Sequence, residues 1–268
     1  MSRNIPSADL ASRYLAANQR LIILDYDGVI VPEVSHPGLT IPTAEMLSWI
    51  RQLSRDSKNK VVIVSNRDTE HLDKYWSDSG AILVAENGAL YKHSGETWTS
   101  VFKHSSEWIE KIAPALNALP VQFEGTFIDR KSTSISWHYG AAKNKLSDAD
   151  LAQISAAIRA LPQRREFALH IGQQQMDLTT RGIDVGSFIA RWIGNKHFDF
   201  VLAIGEAQTD HNLFGLFANG AFTVRVYPTL MSNARYNVKD RFGALLLLKD
   251  IAALSTRTTV GPSETTTD

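Results

Sequence analysis

The run Leu21-Ile22-Ile23-Leu24-Asp25-Tyr26-Asp27-Gly28 constrains this chain more than any other stretch. Four consecutive apolar residues without polar alternation fit a strand covered on both faces, the environment of a parallel sheet. That strand ends on two carboxylates one residue apart. Holding like charges together at the mouth of a buried strand is costly unless a proton or a cation offsets it. A divalent metal and an incoming phosphate are the natural third parties. The plainer reading of the pair is a hydrogen-bonded loop cap.

The following segments repeat the pattern. Pro32, Pro37, Gly38 and Pro42 mark a loop, after which Thr43 to Leu53 carries a helical apolar face of Met46, Leu47 and Ile50, with Thr43 as N-cap. Lys60 to Val64 is a β-branched run leading into Ser65-Asn66-Arg67. Asp68 to Ser77 reads as helix, and Ala81 to Ala85 as a third strand ending at the turn signal Glu86-Asn87-Gly88. Strand, crossover and strand in this order predict an open α/β sheet whose loops gather a ligand at the C-terminal strand ends.

The middle of the chain differs in texture. Val121 to Glu124, Ile128 to Tyr139 and Phe167 to Asp177 read as antiparallel strands, with a helix from Ser147 to Leu161 and with Trp98, Trp108 and Trp137 packed among them. After Gly182 the first pattern resumes. Val185 to Ile193 reads as helix, Phe200 to Ile204 as strand, Asp210 to Phe217 as helix, Ala221 to Val226 as strand and Asp240 to Leu254 as a closing helix. The expected organisation is a core of residues 1–90 and 183–255, an inserted α+β cap of residues 91–182, and a small, polar, disordered tail of residues 256–268.

Composition narrows the partners. Lys plus Arg equals Asp plus Glu at 28 each, so no excess charge points to nucleic acid or an anionic membrane. The six tryptophans are scattered and no basic groove accompanies them. With no cysteine, disulfides, thiolate chemistry and Cys-ligated metal centres are excluded. The first twenty residues lack a hydrophobic signal core, and no apolar run approaches the roughly 18 residues that span a bilayer. The cytoplasm is the expected compartment.

Taken in order, DYDG, SNR, ENG, KSTSISWHY and GEAQTD, spread between Arg20 and Leu254, resemble the haloacid-dehalogenase-like phosphatase superfamily, and within it the trehalose-6-phosphate phosphatase family. The resemblance implies a Rossmann-like parallel-sheet hydrolase core with an inserted α+β cap acting as a lid. It implies Asp25 as the nucleophile that forms an aspartyl-phosphate, Asp27 as acid and base, and Ser65 as a donor to the phosphoryl group. It further implies Mg²⁺ held by the Asp25 carboxylate, the Asp27 carbonyl, Glu206 and Asp210. Arg67, Asp129, Lys131, Asp177 and Arg181 are the expected substrate-binding residues.

The chain departs from the family pattern in several places. Where the family usually writes Gly-Asp-Asp-x-Thr-Asp-Glu, this chain has Gly205-Glu206-Ala207-Gln208-Thr209-Asp210-His211, which lengthens one ligand and removes two carboxylates. Aligning the glycines of Arg181-Gly182-Ile183-Asp184-Val185-Gly186 with the family's Arg-Pro-x-Gly-x-x-Lys-Gly puts Val185 at the lysine that neutralises nucleophile and phosphate. Arg67 and Arg181 are the cations that stand to replace it. Thr179 takes a usual arginine position, Asp177 a usual glutamate, and Asp129 is shorter than the usual glutamate of the cap. His138 is read as structural, and Gly140 stands where an arginine is common.

Two functions follow. One is Mg²⁺-dependent hydrolysis of a sugar phosphate, with trehalose 6-phosphate or a related glycoside phosphate foremost. The other is a catalytically weakened homologue that binds a sugar phosphate or a trehalose-pathway enzyme and regulates it. A monomer or weak oligomer is expected.

Overall fold

The computed structural model describes residues 4–32, 40–103, 106–206, 210–217, 220–229 and 232–259, without the side chains of 210, 211 and 257–259. Pro37, Gly38, Ala207, Gln208, Thr209 and the chain beyond Thr259 lie outside that set. In chain order the first elements are α1 (Ser7–Ala16), β1 (Arg20–Asp25), α2 (Ala44–Arg55), β2 (Asn59–Val64), α3 (Thr69–Trp76), β3 (Ile82–Ala85) and β4 (Leu90–Lys92). Next come α4 (Glu107–Leu116), α5 (Leu119–Gln122), β5 (Phe127–Arg130), β6 (Ser134–His138), α6 (Asp148–Arg159), β7 (Phe167–Ile171) and β8 (Gln175–Thr180). The chain closes with α7 (Val185–Ile193), β9 (Phe200–Gly205), α8 (Asp210–Leu216), β10 (Phe222–Val226), β11 (Tyr236–Val238) and α9 (Arg241–Thr259).

Two compact units divide these elements. The second spans Phe102–Ile183, and the first holds the described residues up to Val101 and from Asp184 onward, together with none of the second unit's strands. Its sheet runs β11-β10-β9-β1-β2-β3-β4, parallel except at β4. The sequence places the start of the insertion at 91, whereas β4 pairs with β3 and Tyr91 bridges Thr99, which keeps the chain on this sheet to Val101. Trp98 stays here too, donating its indole N–H to Asp73 at 2.9 Å.

One face of the sheet is closed by Ile22, Leu24, Ile63, Leu202, Ile204 and Val224 packed with Ile50 and Leu53 of α2 and Leu248 and Ile251 of α9. Each such side chain, moved fully from water, contributes about 1.5–3 kcal/mol. Helix starts are set locally: Thr43 accepts from the Met46 N–H at 3.3 Å and Asp68 from the His71 N–H at 2.8 Å. β1 lies between β2 and β9, so their C-terminal ends open on one edge, where a parallel sheet collects its ligand.

The second unit is an antiparallel sheet ordered β5-β6-β8-β7. Ile128, Ile135, Trp137, Met176, Leu178 and Leu169 join Trp108, Ile109 and Ile112 of α4 and Ile158 of α6 in its core. The stretches read as single strands at 128–139 and 167–177 each fold back into a hairpin, β5–β6 and β7–β8. Val121, read within a strand, is 88% exposed in the short helix α5, whose first turn carries Pro120. Among the described residues no helix is long and apolar enough to cross a membrane. The tail expected from 256 begins as helix, since α9 runs to Thr259.

Candidate active site

Asp25 ends β1 level with Val64 of β2, and its carboxylate accepts the Tyr26 N–H at 2.8 Å. Tyr26 N–H is shared with the Val64 carbonyl at 2.9 Å, which carries the parallel ladder one residue past the strand. The chain then turns: Gly28 donates to the Val31 carbonyl at 2.8 Å and Val31 to the Tyr26 carbonyl at 2.9 Å. Gly28 has φ 78, and a Cβ there would stand 2.8–2.9 Å from Cγ, Cβ and Oε2 of Glu206. Glu206 directly follows β9, and its side chain lies against Gly28 of the turn that carries the early carboxylate pair. The extra methylene of this glutamate lies over the glycine, which has no side chain to oppose it.

Ser65 follows β2 and is 2% exposed. Its N–H donates to the Val84 carbonyl at 3.0 Å and its hydroxyl oxygen accepts the Arg67 N–H at 3.0 Å. Glu86 and Asn87, with φ 49 and 58, fold back so that their N–H groups reach the Arg67 and Ser65 carbonyls, each at 2.9 Å. Such left-handed non-glycine residues cost of order 1 kcal/mol or more each. They fix the backbone around Arg67. The guanidinium spans both oxygens of Asp27, Nη2–Oδ1 at 2.6 Å and Nε–Oδ2 at 3.0 Å, and donates to the Thr40 hydroxyl at 2.9 Å.

Tyr26 is buried below this pair. Its hydroxyl lies 3.1 Å from Nε2 of His71, and burial pushes its pKa up to about 12, so it is protonated at any physiological pH. Burial, aided by the Arg67 charge, holds His71 below the usual histidine range. Thr40, Tyr26 and His71 escape a sequence reading. Only the position of Tyr26 between two carboxylates marks it in advance.

Val185 opens α7 and is 4% exposed. Asp184 caps that helix, accepting the Ser187 N–H at 3.0 Å and its hydroxyl at 2.6 Å. Gly88, at φ 102, leaves room for the Asp184 carbonyl and the Phe188 side chain. The apolar character of the Val185 position is therefore built into the packed start of the helix.

Asp210 opens α8, and its side chain lies outside the described residues. Among the described residues no group of three or more histidines, aspartates or glutamates converges as a metal cluster. Of the expected oxygen donors, Glu206 lies against Gly28 of the Asp25-Tyr26-Asp27-Gly28 turn, and carboxylate oxygens of this kind suit a hard divalent cation such as Mg²⁺.

In the second unit the register aligns Asp129, Ser136, Asp177 and His170 across β5, β6, β8 and β7. Residues in register share a face, and this is the polar one, opposite Ile128, Trp137 and Met176. Lys131 pairs with Asp129 at 3.1 Å. Asp177 accepts the Ser136 hydroxyl at 2.6 Å and the Gln175 amide at 2.9 Å. Arg181 is directed elsewhere: it donates to the carbonyls of Arg165 at 3.0 Å and Phe167 at 2.8 Å. His138 stacks on Phe127 with ring centroids 4.5 Å apart.

The family model described as trehalose-phosphatase matches residues 23–241. A bifunctional trehalose-6-phosphate synthase/phosphatase of Thermoproteus tenax is 27% identical over 244 residues, covering 90% of this chain and 33% of the relative. A trehalose-phosphatase of Zygosaccharomyces rouxii is 26% identical over 229 residues, covering 76% of this chain and 25% of the relative. The chain thus spans a third or less of the length of these curated relatives. The solved C-terminal domain of the C. albicans trehalose-6-phosphate phosphatase shares its fold, with a TM-score of 0.86 at 22% identity over 95% of this chain and 99% of that one.

Proposed function

The chain belongs to the trehalose-phosphatase family, and we propose that it hydrolyses a sugar phosphate with Mg²⁺, trehalose 6-phosphate or a related glycoside phosphate being the substrate. The observation that carries this reading is the meeting of Glu206 with the Asp25-Tyr26-Asp27-Gly28 turn over a glycine that leaves it room. Asp25 attacks phosphorus, forming an Oδ–P bond as the bond from phosphorus to the sugar oxygen breaks. Asp27 delivers the proton that the departing alkoxide takes up. In the second half Asp27 takes a proton from water, whose oxygen attacks phosphorus and releases inorganic phosphate and the Asp25 carboxylate.

Asp25, the Asp27 carbonyl, Glu206 and Asp210 would hold Mg²⁺, whose charge offsets the repulsion between a carboxylate nucleophile and a phosphate dianion. Ser65 stands at the end of the adjoining strand, where its hydroxyl serves a phosphoryl oxygen. Arg67 acts on this reading through Asp27, whose carboxylate it holds on both oxygens, and not as the phosphate ligand that the sequence predicts. Asp129, Lys131 and Asp177 form a hydroxyl-matching face in the cap, a polar set that discriminates strongly once buried against a sugar. Arg181 serves the cap backbone.

A second reading is favoured by one observation, the buried valine at the start of α7. Losing a cation beside the transferring group removes several kcal/mol of transition-state stabilisation. On that reading the protein binds a sugar phosphate, or a trehalose-pathway enzyme, and regulates without turnover. Inorganic phosphate release from a panel of sugar phosphates, with and without Mg²⁺, separates the two. Mg²⁺-dependent release that Asp25→Asn abolishes supports the hydrolase; binding without release supports the regulator.

A further inference from the structure

Glycine in the first turn of a helix destabilises it relative to alanine, because the chain gives up more backbone freedom on folding. Gly186 is the second residue of α7 and is buried there. Its φ is not positive, so the backbone at that point does not call for glycine. What calls for it is space. A Cβ at position 186 would stand 2.8 Å from the carbonyl carbon of Asn212, 2.9 Å from its Cβ and 3.0 Å from its carbonyl oxygen. Asn212 is the third residue of α8, which begins at Asp210. We propose that Gly186 is a positioning residue of the metal site: it lets α8 seat directly on the backbone of α7 and so sets where Asp210 stands. The inference rests on the hydrolase reading above, in which Asp210 is a Mg²⁺ ligand, and adds the residue that places it.

The start of α7 is braced on its other side. A Cβ at Gly88 would stand 2.8 Å from Cβ of Phe188 and 3.0 Å from the Asp184 carbonyl oxygen, so this first turn also lies in close contact with the Glu86-Asn87-Gly88 turn. That turn holds the Arg67 and Ser65 carbonyls through the N–H groups of Glu86 and Asn87, each at 2.9 Å. The Asp184 cap and the buried Val185, Phe188 and Ile189 fix the helix further.

An added methyl group at 186 therefore meets backbone rather than a flexible side chain, in an interior that is close-packed. The helix that can give way is α8, seven residues long against nine in α7. By backbone contact α7 thus joins two parts of the site, the turn behind Ser65 and Arg67 and the helix that opens on Asp210. Mg²⁺ demands near-octahedral oxygens at about 2.0–2.1 Å. A small displacement of α8 is felt there as lost affinity even where the fold survives.

Calorimetric titration of Mg²⁺ into the metal-free protein tests this without requiring turnover. Gly186→Ala is expected to weaken Mg²⁺ binding by about 10- to 100-fold, the scale of a disturbed supporting contact. In an Asp210→Asn background the same substitution is expected to change the affinity by less than about twofold, because the ligand whose place it disturbs is gone. A contact that merely stabilises the helix pair would give the same loss in both backgrounds, or none in either, and each of these results overturns the proposal. An Asp210→Asn variant that binds Mg²⁺ as the parent does overturns it together with the place of Asp210 in the hydrolase reading. A loss with Asp210→Asn but none with Gly186→Ala overturns the proposal alone. If thermal melting shows that Gly186→Ala does not fold, Asp210→Glu in the parent decides. With α8 held at backbone contact it cannot draw back for a longer ligand, so Mg²⁺ binding should weaken by about tenfold or more; an affinity within about twofold of the parent's overturns the proposal.

Discussion

Arg67→Met separates two roles that the sequence leaves merged. In the structure the Arg67 guanidinium makes two charge-assisted bonds to Asp27, at 2.6 and 3.0 Å, with side-chain exposures of 7% and 21% for arginine and aspartate. Methionine keeps the packing against Tyr26 and removes both bonds, together with the one to the Thr40 hydroxyl. Asp27 is partly open to water, so the loss of folding stability should be about 2 kcal/mol, below the cost of breaking a fully buried pair. The larger effect falls on chemistry. A positioned general acid contributes about 10²- to 10⁴-fold, and an Asp27 free to rotate should forfeit at least the lower figure, about 2.7 kcal/mol in activation free energy. That loss is selective, because a sugar alkoxide needs the proton and a nitrophenolate leaves without it. We therefore expect kcat/KM for sugar-phosphate hydrolysis to fall about a hundredfold, with less than about a threefold fall on p-nitrophenyl phosphate. Equal losses on both substrates would refute the reasoning and return Arg67 to the phosphate. A faster sugar-phosphate reaction would refute it as well, since the pair would then be restraining Asp27.

Gly28→Ala should lower Mg²⁺ affinity in calorimetry, since a Cβ at φ 78 costs about 1–2 kcal/mol in backbone strain and stands 2.8 Å from Cγ of Glu206; unaltered affinity would show that Glu206 is not a ligand. His71 sits below its ordinary value of 6.5 through burial first and Arg67 second. Below pH 6.5 the unfolded chain takes up a proton that the native state resists, so native stability is lost as pH falls from 6.5 toward the folded value and is level above it. Urea midpoints at neutral and mildly acidic pH should show that drop, and His71→Gln should flatten it. In the cap, Trp108 is fully buried and donates its indole N–H to Thr180 at 3.1 Å. Trp108→Ala should cost about 3–5 kcal/mol in urea denaturation; a loss under about 1 kcal/mol would mean that the cap core collapses around the cavity.

What the sequence discloses is set by how local the cause is. The β-branched run before Ser65 and the apolar run before Gly205 become β2 and β9, and Thr43 and Asp68 cap the helices they precede, because each decision is made within a few residues. The cap reads less well. A short apolar stretch at Val121 does not distinguish strand from helix, and Pro120 belongs to a helix start. The long runs at 128–139 and 167–177 hide their reversals; in the second, only Gly172 marks the turn at which Gly172 N–H meets the Gln175 carbonyl. α4 passes unread although Trp108, Ile109, Ile112, Ala113 and Leu116 have helical spacing, because Pro114 lies within it.

In the site, what is hidden is the choice each long side chain makes between partners. Arg67 lies three residues beyond Val64, which is level with Asp25, so from the sequence its guanidinium can serve either a phosphate on Asp25 or the neighbouring Asp27. The decision is made by two backbone groups. Glu86 N–H holds the Arg67 carbonyl and the Ser65 hydroxyl holds the Arg67 N–H, and together they send the side chain across the Tyr26 ring, 5.7 Å from its centroid, to Asp27. Glu86-Asn87-Gly88 is legible as a turn, but its function is to fix that backbone from a neighbouring strand. The same holds for Arg181, whose guanidinium turns to the Arg165 and Phe167 carbonyls of the cap, a pairing that its place beside Gly182 in the sequence does not disclose.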